Sequence, residues 1–198
     1  MDNEHLLWTE TGRSAKYEHR IFTLYESARL SHDGMRANWV MIDSPDWGNV
    51  AAFTRDAEGR DCLVLVRQFR PGLETTALEF PGGVIERDED PLAGLQRELR
   101  EETGYQSERW IHLGSVNPNP SFLSNTNHSW LALDCKLAHR QELDAQERLD
   151  CLLVPLAELT AGAHPEFFSN GIMLLTWHWL GERLRREALP KHPAQETL

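Results

Sequence analysis

The sequence predicts an α+β fold with a small N-terminal antiparallel β extension. Three observations carry this reading. A strand pair over 50–69 is apolar on both faces, as in a sheet covered on each side. A helix signal with both caps present lies among predicted strands at 91–103. The first 46 residues hold strand-like segments but little continuous apolar material.

Taken in order, residues 17–29 (YEHRIFTLYESAR) alternate loosely and predict one or two exposed strands. Asn38 to Asp43 is a further short strand, closed by the turn Ser44-Pro45-Asp46. A sheet of two or three strands is marginal alone. Residues 1–46 are therefore expected to lean on a main domain over 47–198, or to serve as an arm to a second subunit. Val50 to Thr54 pairs with Asp61 to Phe69 across Asp56-Ala57-Glu58-Gly59. A short strand from Ala77 to Phe80 stops at Pro81-Gly82-Gly83. Asp90 then caps a helix with proline at its first position, and Gly104 ends it. Strands over Trp110 to Val116 and His128 to Asp134 flank the Asn/Pro/Ser-rich loop Asn117 to Asn127. A strand at Cys151 to Val154, a helix near Pro155 to Leu159 and a final helix from Pro165 to Glu187 complete the chain.

The length, 198 residues, suits one domain with a modest extension. With 31 Asp and Glu against 20 Lys and Arg, the net charge of −11 disfavours broad attraction to nucleic acid or anionic membrane. Only Lys16, Lys136 and Lys191 are lysines, so the cations are nearly all guanidinium forks suited to phosphate or carboxylate. Cys62, Cys135 and Cys151 form no CxxC pair and imply neither a disulfide framework nor a zinc knuckle. The N-terminus lacks a signal-peptide pattern and no apolar run is long enough to span a bilayer, so a soluble cytoplasmic protein is expected.

The helix at 91–103 carries the chemistry. At 100° per residue, Leu92, Leu95 and Leu99 fall within one arc of roughly 60° and face the core. Glu98 and Glu102 flank that arc, with Glu101 just beyond and Gly94 leaving the face open. Three carboxylates at i, i+3 and i+4 repel one another. On the helical wheel Arg97 and Arg100 project beyond Glu101. Glutamates alone suit a solvated acidic face, but Pro81-Gly82-Gly83 lets backbone approach an ion or phosphate closely. Hard oxygen donors with open positions suit Mg²⁺ or Mn²⁺.

Gly83, five residues, Glu89, seven residues, then Arg97-Glu98-Leu99-Arg100-Glu101-Glu102-Thr103-Gly104-Tyr105 matches the pattern GX5EX7REUXEEXGU at every fixed position. The chain thus resembles the Nudix hydrolases. The resemblance implies an α/β/α sandwich on a mixed sheet, and metal-dependent hydrolysis of a nucleoside diphosphate linked to another moiety. It implies metal binding by Glu98, Glu101, Glu102 and the Gly83 carbonyl, with Arg97 orienting the glutamates and Glu89 bracing the loop. Outside this box, Val66-Arg67-Gln68-Phe69-Arg70, Leu78-Glu79-Phe80-Pro81-Gly82-Gly83 and Pro120 resemble ADP-ribose and nucleotide-sugar pyrophosphatases.

By that resemblance Arg70 grips the pyrophosphate or terminal ribose, Gln68 and Glu79 belong to the same substrate-binding run, and Trp47 stacks on the base. The loop after Pro120 departs from the family pattern, because Ser121 to His128 holds no acid. Phe122 and Asn125 remain as substrate-binding candidates there, and Asn127 could likewise reach a sugar hydroxyl. The general base is sought in 141–150, with Glu147 first, Asp144 second and Glu142 also present. His128 reads as a structural hydrogen-bonder. The resulting expectation is a Mg²⁺-dependent or Mn²⁺-dependent homodimeric pyrophosphatase. It would convert ADP-ribose, or another nucleoside diphosphate sugar, to a nucleoside monophosphate and a sugar phosphate. The alternatives are a nucleoside triphosphate-sanitising enzyme and a non-catalytic ligand sensor.

Overall fold

The computed structural model describes residues 3–186, which fall into two compact units. One comprises the chain up to Asp46 together with Val116–Asn127; the other comprises Trp47–Ser115 and the chain from His128 onward.

The first unit is a three-stranded antiparallel sheet in the order β1 (Trp8–His19), β2 (Phe22–Ser31), β3 (Arg36–Asp43). The segment 17–29, expected as one or two strands, spans the β1–β2 turn and so holds parts of two, and most of β1 was not expected. Its residues are almost all exposed, so no apolar alternation marks it. Two register irregularities, between Glu10 and Gly12 and between Ala15 and Tyr17, blur the pattern further. Glu10 joins β1 to β2 by accepting from Ser27 Oγ at 2.7 Å and Arg29 Nη2 at 3.2 Å. The Asn/Pro/Ser-rich loop belongs to this unit. Ile42 N–H donates to Phe122 O, Ser124 N–H donates to Ile42 O, and Thr126 N–H donates to Asp46 Oδ1.

The second unit is built on a six-stranded mixed sheet. Its strands are β4 (Trp47–Arg55), β5 (Asp61–Arg70), β6 (Thr75–Glu79), β8 (Arg109–Val116), β9 (Asn127–Leu133) and β11 (Leu149–Pro155). The order is β11-β5-β4-β9-β8, and β6 pairs with the second half of β5. Two short strands, β7 (Tyr105–Gln106) and β10 (Lys136–Leu137), form a separate ladder.

Alternation along the central strands sends side chains to two cores. Val50, Ala52, Val64 and Ala132 face Leu95 and Leu99 of helix α1 (Pro91–Thr103). Ala51, Phe53, Leu63, Leu65, Leu131 and Leu133 face the opposite side. That side is covered by Leu159 of α2 (Leu156–Thr160), Phe167 of a 3-10 turn (Pro165–Ser169), and Met173 and Leu180 of α3 (Gly171–Arg186). Helices on both faces of one sheet make the α/β/α sandwich.

The predicted single helix from Pro165 is two elements. Asn170 is extended, with φ −114° and ψ 121°, and its Oδ1 accepts from Ile172 N–H at 3.0 Å to start α3. The predicted end at Glu187 lies outside the described residues.

Candidate active site

Local chemistry sets α1 in place. Asp90 Oδ1 accepts from the N–H groups of Leu92 and Ala93, and Pro91 needs no donor at the first position. Gly104 ends the helix in the left-handed conformation, φ 75°, where an added Cβ would lie 2.3 Å from His139 O. The loop before α1 is stitched to the start of β4. Gly48 N–H donates to Gly83 O at 3.0 Å, and Val50 N–H donates to Pro81 O at 2.9 Å. Gly82 has φ 154°, and a Cβ there would lie 2.1 Å from Gly48 O.

Arg97 is the hub. Its Nε and Nη2 donate to the two Glu89 oxygens at 3.2 and 3.1 Å, and Nη2 also reaches Val84 O at 3.2 Å. Its Nη1 donates to Glu98 at 2.8 Å and Glu101 at 3.1 Å. The wheel placed Arg97 beyond Glu101, but a long guanidinium side chain reaches back between the two acids. These partners raise the Arg97 pKa, and the Arg97 hydrogen bonds lower that of Glu89. Glu89 also sits where Gly94 lacks a side chain, since a Cβ on Gly94 would lie 2.9 Å from Glu89 Oε2.

Glu102 is buried, and its Oε2 accepts from Gly82 N–H at 2.8 Å. Burial pushes its carboxyl up to about 8; that hydrogen bond and Arg70 oppose the shift, while Glu98 and Glu147 add to it. Burial also pushes Glu98 up; Arg97 opposes this, while Glu101 and Glu147 reinforce it. Glu147, half-buried, therefore acts electrostatically on Glu98 and Glu102 of α1. Its Oε2 accepts from Asp144 N–H at 3.0 Å. The 141–150 loop is tied to α1 through Gln141 Nε2 to Glu102 O and Glu142 N–H to Glu101 O.

Arg70 is two-fifths exposed and forks onto Oε2 of the fully buried Glu79, with Nε at 2.8 Å and Nη2 at 2.5 Å. Gln68 Nε2 lies 3.5 Å from the same oxygen. Trp47 is exposed and pairs with Val84 as an isolated bridge. Phe122 and Asn125 lie in the first unit. Phe122 is exposed, whereas the Asn125 amide is buried with neither polar atom partnered. His128 Nδ1 lies 2.9 Å from Ser115 Oγ, in keeping with a hydrogen-bonding role.

Among the described residues no three His, Cys, Asp or Glu side chains already converge as a ligand set. Glu98 and Glu101 meet at Arg97 Nη1, whereas Glu102 points to Gly82 N–H. The donors nevertheless suit a hard cation. The buried Glu102 and the partly buried Glu98 have their pKa values raised partly by neighbouring carboxylates, and the absence of a side chain on Gly83 lets the Glu98 carboxylate close onto the loop, where a Cβ would lie 2.7 Å from it.

An α/β/α sandwich with a glycine loop feeding an acidic, arginine-braced helix has the architecture of a pyrophosphate-cleaving hydrolase. Residues 47–172 match the NUDIX domain model, and the chain belongs to the Nudix hydrolase family. It is 34% identical over 140 residues to an ADP-ribose pyrophosphatase of Bacillus subtilis (strain 168), covering 70% of this chain and 74% of that protein. It is 44% identical over 68 residues to an ADP-sugar pyrophosphatase of Mus musculus, covering 34% of this chain and 31% of that one. A solved structure of an ADP compounds hydrolase superposes with a TM-score of 0.74 at 22% identity, over 90% of this chain and 95% of that one, which establishes the fold.

Proposed function

We propose that this Nudix hydrolase cleaves the pyrophosphate of ADP-ribose or another nucleoside diphosphate sugar, yielding a nucleoside monophosphate and a sugar phosphate. The observation that carries the reading is the carboxylate set around the glycine loop: Glu102 accepts from Gly82 N–H, Glu98 closes over Gly83, and Glu147 acts electrostatically on both. The names of the bacterial and mouse relatives support the substrate class.

Glu98, Glu101, Glu102 and the Gly83 carbonyl would hold Mg²⁺ or Mn²⁺. When bound, such an ion lowers the pKa of water and offsets charge on the departing phosphate. The protein's own groups do the rest. Arg97 holds Glu98 and Glu101 in place, and Glu89 anchors Arg97 to the loop. Arg70 presents its exposed guanidinium edge to the diphosphate, and Glu147 accepts the proton of the attacking water at its carboxylate. Trp47 supplies a contact to the base, with Gln68 and Glu79 supporting Arg70. The working form is a homodimer in the cytoplasm; Leu6, Leu7, Tyr17 and Val40, which the first unit leaves exposed, support the pairing of two copies.

A panel of ADP-ribose, other nucleoside diphosphate sugars and nucleoside triphosphates, assayed with Mg²⁺ and after chelation, tests the reading. Release of AMP and ribose phosphate only with metal is expected. Preference for triphosphates overturns the substrate class, and turnover unchanged in Glu98→Gln overturns the metal assignment. Light scattering after size exclusion tests the dimer.

A further inference from the structure

Glu79 is the one acid in a strand end whose neighbours Ala77, Leu78 and Phe80 are all buried and apolar, and it is itself fully buried. A desolvated carboxylate persists only when its oxygens are well partnered. Both are. Oε2 takes the Arg70 fork, and Oε1 takes a hydrogen bond of 2.8 Å from Asn170 Nδ2. The Asn170 amide has one consistent orientation, because an ionised carboxylate offers no hydrogen and the Ile172 N–H needs an acceptor. Its Nδ2 therefore faces Glu79 while its Oδ1 faces Ile172 N–H.

The interruption of the helix at Asn170 makes this possible. In extended conformation the residue both caps α3 and reaches a strand 91 positions earlier. The neighbouring Phe80 N–H lies 3.2 Å from Met173 Sδ, so the end of β6 and the first turn of α3 meet at two points. A guanidinium held by both Nε and Nη2 has its plane determined by the carboxylate beneath it. Arg70 remains two-fifths exposed on its other side and acts electrostatically on Glu102.

We infer that Asn170 is a positioning residue: it locks the Glu79 carboxylate and through it sets the plane in which Arg70 meets the substrate's diphosphate. The substrate part of this inference rests on the proposed function; the Asn170–Glu79–Arg70 linkage does not. Arg70 engages phosphate in the ground state as well as in the transition state, so loosening it raises KM more than it lowers kcat.

Asn170→Ser keeps a capping hydroxyl for α3 but is too short to reach Glu79, and Asn170→Asp keeps the cap while replacing the donor with a second carboxylate. Thermal melts of both variants check that the cap is retained. The direct readout is the Arg70 Nε–H resonance in ¹H–¹⁵N spectra, assigned by its absence in Arg70→Ala. A dispersed, slowly exchanging signal is expected in the wild-type protein, with loss of dispersion and faster exchange in both variants. With ADP-ribose, KM should rise several-fold in Asn170→Ser, and the increment should vanish in an Arg70→Ala background. An unchanged Arg70 resonance in both variants overturns the linkage, as does a KM increment that survives Arg70→Ala. A released Arg70 with unchanged KM supports the linkage and overturns the role of Arg70 in the proposed function.

Discussion

The Glu98 carboxylate fills the space that any side chain on Gly83 would occupy: a Cβ there would lie 2.7 Å from both Cδ and Oε2 of Glu98. A glycine fifteen positions before Glu98 is thus a steric requirement, and the motif's spacing between Gly83 and Glu98 is the footprint of one contact.

Gly83→Ala should accordingly fold but misplace Glu98, because the clash is with the tip of a flexible side chain. Isothermal titration with Mn²⁺ is expected to show affinity lowered by roughly 10-fold to 100-fold, with the melting transition little changed. Unaltered Mn²⁺ affinity would show that this close approach does not matter to the site.

Arg97→Lys keeps the charge but loses the fork that serves Glu89, Glu98, Glu101 and Val84 O together. Urea unfolding of the metal-free protein should show a loss of about 1–3 kcal/mol, the usual cost of leaving partly buried acceptors without donors. A difference near zero would mean water replaces those bonds freely.

Glu147→Gln should lower kcat by roughly 10²-fold or more with KM little changed. Asp144→Asn should have the smaller effect, since Asp144 contributes its backbone N–H to Glu147 and that N–H survives the substitution. The reverse order in steady-state kinetics would transfer the role of base to Asp144.

Burial pushes the thiols of Cys135 up to about 12 and Cys151 up to about 11, with Asp134 and Glu102 respectively adding to the shift. Both raised values lie above the ordinary thiol value near 8.5. The folded state therefore binds these protons more tightly than the unfolded chain. Their contribution to stability is fully present below about pH 8.5 and falls as pH rises towards 11–12. Mass spectrometry after iodoacetamide treatment at pH 8.5 should find both residues unmodified in the native protein and modified in urea. Equal rates in the two states would place the thiols in contact with solvent.

Local chemistry made much of this protein readable. Asp90-Pro91 and Gly104 bracket α1 because caps act within a few residues, and the strand pair 50–69 announces itself by apolar side chains on both faces. The acidic motif was readable for the same reason, since residues three and four apart on a helix share a face. By contrast, β1 carries no local mark because its side chains are almost all exposed, and the grouping of Val116–Asn127 with the first unit depends on bonds to Ile42 and Asp46 far earlier in the chain.

The family, the sheet covered on both faces and the acids of α1 follow from the order of residues alone, because each depends on spacing within one or two elements. Side-chain reach and long-range packing settled the remainder. Arg97 turns back between Glu98 and Glu101, against its wheel position, because a guanidinium on three methylenes goes where unpartnered carboxylates are. The final helix breaks at Asn170, where its amide can serve Ile172 N–H and Glu79 at once. A buried carboxylate must be partnered wherever its partners lie in the chain, and only the folded structure brings Asn170 to Glu79.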